Sequence, residues 1–185
     1  MIKSRHFDWP AHLLHWLFAL GVTFQLFSSI WMHHTAKAGR AQWTLNLFFY
    51  HQTIGMVVLV LLILYILRSL MLIEQGKDKL GHLFPYQSSQ RAVIWQDIKR
   101  LVRFDIPEHS SGGLAGAVQG AILVWVTAVA ITGFMWFSVQ GNAASATLAY
   151  ALKETHEWLA SWVWYFVGAH AVMGIIHGIR QLFRG

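Results

Sequence analysis

Four stretches of this chain, at residues 13–31, 45–67, 114–137 and 158–179, contain no Asp, Glu, Lys or Arg, and each is 19 to 24 residues long. About 20 helical residues cross the hydrocarbon core of a bilayer. Hydrocarbon offers the backbone no water to bond with, so a run of this kind satisfies its N–H and C=O groups only as a helix. A single such run can hide inside a large soluble enzyme. Four of them in 185 residues leave too little chain to cover them. Charged residues make up 12% of the chain, against about 25% in a soluble domain, so half of the usual solvated surface is missing. The expected fold is all-α: an integral membrane four-helix bundle, one membrane domain over residues 1–185, with spans at about 12–31, 45–69, 114–137 and 156–179.

The first run is expected to stay in the mature chain as a helix. It lacks a small-residue cleavage site, and His12, His15 and Gln25 interrupt it. The net charge of +6 is arranged by topology rather than for a polyanionic partner, and no nucleic acid is implied. Eleven of the fourteen Lys and Arg residues lie before the first charge-free run, between the second and third, or after the fourth. Only Lys37, Arg40 and Lys153 lie on the other side. The positive-inside rule then expects both termini and the central segment in the cytoplasm. Within the central segment, residues 90–104 alternate Val93, Ile94, Ile98, Leu101 and Val102 with Arg91, Lys99, Arg100 and Arg103. At helical spacing this is a basic amphipathic helix suited to the inner membrane surface. Tryptophans near the span ends (Trp9, Trp16, Trp31, Trp43, Trp136, Trp158, Trp162) read as interfacial anchors.

There is no cysteine, which excludes disulfides, iron–sulfur clusters, thiol catalysis and covalent haem attachment. Any haem is therefore b-type, held by side chains alone. The histidines supply candidates, because ionisable groups inside a membrane are costly and are usually functional. His156 and His170 are fourteen residues apart on the fourth span. That spacing returns to within ~40° of whole turns and rises ~21 Å, so both rings share a face, one towards each membrane surface. His15 lies near the start of the first span and His51 near the start of the second, which puts them on opposite sides. The economical pairing is His15 with His170 on the inner side and His51 with His156 on the outer. Counted from the span ends, His15 and His170 differ in depth by more than a turn, which tilt can absorb.

Two imidazoles on one haem iron leave no open position, an arrangement for electron transfer rather than oxygen activation. Gly55, Gly168 and Gly174 lie near these ligands and either admit a flat macrocycle or serve close helix packing. His12 competes with His15 as ligand, and His177 falls at the inner interface, where it can snorkel or hold a propionate. His6, His33, His34, His82 and His109 read as loop histidines.

The segments His156-Glu157, Gly168-Ala169-His170, His15-Trp16-Leu17 and His51-Gln52-Thr53-Ile54-Gly55 resemble the bacterial cytochrome b561 family, which shares its fold with the cytochrome b subunits of nickel–iron hydrogenases. The resemblance spans nearly the whole chain. Ser111-Gly112-Gly113-Leu114-Ala115-Gly116 is nearer to the hydrogenase-type subunits, and Gln119 stands where some relatives carry a histidine. The resemblance implies two haems b ligated by His15, His51, His156 and His170, with quinone exchange on the cytoplasmic side. It leads to the expectation of transmembrane electron transfer between the quinone pool and a periplasmic c-type cytochrome or metalloenzyme subunit, as part of a respiratory complex. Asp8, His12 and Arg5 would handle protons near the inner haem. The chain sits in membrane lipid, and a homodimer is compatible with the pattern. The alternative is a superoxide:quinone oxidoreductase acting alone, with Lys37, Arg40 and Lys153 steering the anion. A non-redox membrane anchor is the remaining reading, which an optical spectrum separates from the other two.

Overall fold

The computed structural model describes residues 9–35, 42–74, 83–85, 88–103 and 113–183. Four long helices carry the fold: α1 (Trp9–Thr35), α2 (Gln42–Glu74), α4 (Leu114–Val139) and α5 (Ala146–Leu182). A shorter helix, α3 (Ser88–Val102), precedes α4, and a 3-10 turn (Ala143–Ser145) precedes α5. All four long helices are apolar and long enough to cross a membrane. Among the described residues there is no strand, so the chain is an all-α, multi-pass membrane protein. α1 runs on through His33 and His34, which the apolar pattern assigned to a loop. α5 is longer than its charge-free run at both ends, and its first turns carry a Lys153–Glu157 ion pair at 2.6 Å.

The contacts define direction. Ser28 meets His51 while Gly21 lies against Val58, so α1 and α2 are antiparallel. Trp125 meets Leu159 while Thr132 meets His156, so α4 and α5 are antiparallel too. Gln52–Gln140 and Phe48–Trp136 join α2 to α4, and Phe27–Trp164 and His15–His170 join α1 to α5. The bundle is thus up-down-up-down. One end carries Trp9 and Leu182 (the termini end), and the other carries the α4–α5 turn (the loop end). Packing is closest within the α1–α2 and α4–α5 hairpins, α2 and α4 form the main seam between them, and α1 touches α5 only lightly.

Local chemistry sets the ends. Gly141 takes φ 84°, a left-handed conformation that favours glycine, and so turns the chain tightly between α4 and α5. Asn142 then accepts a hydrogen bond from the Ala144 N–H at 3.0 Å and starts the 3-10 turn. The start of α4 has no cap from its own N-cap residue, Gly113. Asp97 of α3 caps it instead, accepting from the Leu114 N–H at 2.9 Å and bringing a negative charge to the positive end of the helix. Asp97 is buried, and with it the Gln90, Val93, Ile94 and Ile98 face of α3 turns inward, leaving Trp95, Lys99 and Val102 exposed. A Cβ at Gly120 would collide with the Leu83 carbonyl, so glycine there lets the segment before α3 lie on α4.

The core is a thin layer at mid-depth: Val22 and Leu26 of α1, Val58 of α2, Val126 of α4 and Val163 of α5. Val22, Val58 and Val163 each stand seven residues along their helix from a candidate histidine, and Val163 stands seven from both His156 and His170. Seven residues are two turns and ~10 Å of rise. The bundle is therefore layered, with a histidine pair, then valines, then a histidine pair. Leu, Phe, Ile and Trp side chains cover the outside, the polarity expected of a lipid-facing surface.

Candidate haem-binding site

At the termini end, the His15 and His170 rings approach to 6.2 Å between centroids, with their planes 60° apart. His12 is within electrostatic reach of His15. A Cβ at Gly168 or Gly174 would meet nothing within 4 Å, so neither glycine serves close helix packing, and the face of α5 around His170 is open. His170 and His15 are both exposed from protein cover, and they face each other across the lightly packed α1–α5 side.

At the loop end, His51 and His156 are half-buried and near enough for their protonated forms to repel. Each ring is anchored through Nδ1 to a neighbouring helix. His156 Nδ1 lies 2.9 Å from the Val129 carbonyl of α4. A carbonyl only accepts, so Nδ1 carries the hydrogen and Nε2 keeps its lone pair. Thr132 Oγ1, at 3.3 Å, agrees, because its own hydrogen points to main-chain carbonyls. Gly133 makes room for this: a Cβ there would lie 2.9 Å from the ring's Cε1 and 3.1 Å from Nδ1.

His51 is held by α1. Ser28 Oγ lies 2.7 Å from His51 Nδ1, and its hydrogen goes to the Gln25 carbonyl at 3.0 Å. With that hydrogen on the Gln25 carbonyl, the hydroxyl oxygen can accept from Nδ1–H, which leaves His51 Nε2 bare. Gln25 Nε2 also donates to the His51 carbonyl at 2.8 Å, and Gly55 packs against that same amide. The sequence offered no signal for Ser28, Thr132 or Gly133, because each acts on a histidine of another helix. Lys153 is engaged with Glu157 and Glu154. Arg5, His6, Asp8, Lys37, Arg40, His82 and His109 lie outside the described residues, as do the side chains of His33, His34 and His177.

The family model for prokaryotic cytochrome b561 matches residues 6–184. The chain belongs to that family. It is a membrane electron-transfer protein that works through b-type haem. Comparisons with curated proteins and with solved structures gave no significant match.

The residues present fit that cofactor. Among the described residues no three His, Asp or Glu side chains converge on one point. Haem iron asks the chain for only two axial ligands, because its macrocycle fills the other positions. A metal–imidazole bond is about 2 Å and its nitrogen lies about 1 Å from the ring centre, so two imidazoles bound trans to one ion have centres roughly 6 Å apart. The His15–His170 separation of this cytochrome meets that span. The anchored Nδ1 atoms of His51 and His156 match the usual arrangement of a metal-bound histidine, whose second nitrogen donates to an oxygen.

Proposed function

We propose that this cytochrome carries electrons across the bacterial inner membrane through two haems b, between the quinone pool and a periplasmic redox protein. His15 and His170 hold one haem at the termini end, and His51 and His156 hold the other at the loop end. The observation that supports this reading best is the layering, with one imidazole pair at each end and an apolar valine layer between them. Held by these histidines, haem b would supply reversible one-electron chemistry. The chain's part is to bind and orient. Ser28 and the Val129 carbonyl fix the histidine tautomers at the loop end, and the apolar layer keeps water from the middle of the bundle. Quinone is the natural lipid-phase partner because it is apolar and diffuses in the bilayer. The four apolar helices keep the proposed haems within the bilayer, and a second subunit or a c-type cytochrome is the partner that would meet them from the aqueous phase.

The purified protein is expected to show a b-type reduced spectrum and two haems per chain, both released by acid–acetone because no cysteine tethers them. A ratio of one, or a haem that resists extraction, removes the four-histidine scheme. Orientation has its own test. Reporter fusions at Gly141 should read periplasmic, and fusions at Lys77 or Gly185 cytoplasmic, following the basic residues. The reverse pattern exchanges inner and outer without changing the pairs.

A further inference from the structure

We propose that Ser28 is a positioning residue that holds His51 as the Nδ1–H tautomer and thereby lowers the redox potential of the loop-end haem. This rests on the ligand assignment above and goes one step beyond it. Ser28 is 3% exposed, so no solvent molecule can take over its bonds. Its single hydrogen goes to the Gln25 carbonyl, which leaves its oxygen to accept from His51 Nδ1 at 2.7 Å. Gln25 ties down the carbonyl of the same histidine, so the ring and the backbone of residue 51 are both fixed by one turn of α1.

An imidazole that donates from Nδ1 places more electron density on Nε2 and is a stronger ligand. A stronger donor favours ferric over ferrous iron, so the potential falls. His156 receives the same treatment from the Val129 carbonyl, a main-chain group that substitution leaves in place. Ser28 is therefore a side chain through which the loop-end potential can be altered.

The test is a potentiometric titration of the haem-loaded protein followed optically, the loop-end component being the one lost in His156→Ala. In Ser28→Ala that component should titrate at a higher potential while the other stays in place. Ser28→Thr, which keeps the hydroxyl, should titrate as the wild type does. If Ser28→Ala sheds the loop-end haem while Ser28→Thr retains it at the native potential, the positioning role still holds. An unmoved potential in Ser28→Ala, an equal shift of both components, or loss of the haem in both variants overturns it. If His51→Ala leaves both components in place, the ligand assignment has failed, and the role of Ser28 falls with it. If His51→Ala still removes its component while Ser28→Ala changes nothing, only the role of Ser28 is lost.

Discussion

Replacing His51 with Ala should remove one spectral component of the reduced cytochrome, and replacing His156 should remove the same one. If the two imidazoles share an iron, either truncation leaves the other facing a haem with one axial bond in an apolar site. The double variant should then be little worse than either single, because residues that act as one unit do not contribute additively. His15→Ala and His170→Ala should together remove the other component if the two rings, 6.2 Å apart, share the second iron. His12→Ala is the control and should leave both components intact. Loss of the termini-end component in His12→Ala but not in His15→Ala would move the ligand by one turn of α1. Joint failure of His51→Ala and His170→Ala would mean that the pairs are crossed.

Gly133→Leu should cost the loop-end haem as surely as removing a ligand does, although residue 133 binds nothing itself. Even a Cβ at this position would come within 2.9 Å of the His156 ring, so a leucine there presses on the imidazole. The ring must then leave the Val129 carbonyl, losing both its orientation and its tautomer. Outer-shell changes of this kind weaken metal sites by ~10–100-fold, and displacement of the ligand itself belongs at the upper end. Helix propensity acts in the opposite direction, since leucine is favoured over glycine in a helix interior by up to ~1 kcal/mol. Loss of haem from an otherwise folded variant therefore points to the His156 ring. The measurement is the haem-to-protein ratio, with the amplitude of each spectral component. Full retention of the loop-end component in Gly133→Leu would show that the ring does not depend on the gap.

Much of this was legible in the sequence, for identifiable reasons. Charge-free runs mark the long helices because hydrocarbon tolerates few ionised groups, and the residues 90–104 pattern marks α3 because one face is polar and basic. The fourteen-residue spacing of His156 and His170 is an intrahelical quantity, so helix geometry alone placed both on one face. The registers between helices were not legible. Sequence depth counts left His15 and His170 more than a turn apart, whereas α1 starting at Trp9 and α5 reaching Leu182 bring their rings together. Ser28, Thr132 and Gly133 carried no signal because nothing local distinguishes them from ordinary small residues of a membrane helix. Asp97 is similar. In the sequence it is one more polar residue of an amphipathic helix, and only the tertiary structure turns it inward to cap α4. Trp158 and Trp162, expected as interfacial anchors, also pack on Trp125, whose indole N–H donates to the Leu159 carbonyl and ties α4 to α5.

The weak contact between α1 and α5 bears on how the protein is made in the cell. Membrane helices insert first and associate afterwards, and here the two hairpins are the natural units of insertion. His15 and His51 belong to the first hairpin and His156 and His170 to the second, so each proposed iron bridges the two. Haem then acts as a rivet, and ligation becomes part of the folding free energy, as it does in small metal-dependent domains. Without the proposed haems, the two hairpins would be joined chiefly along the α2–α4 seam.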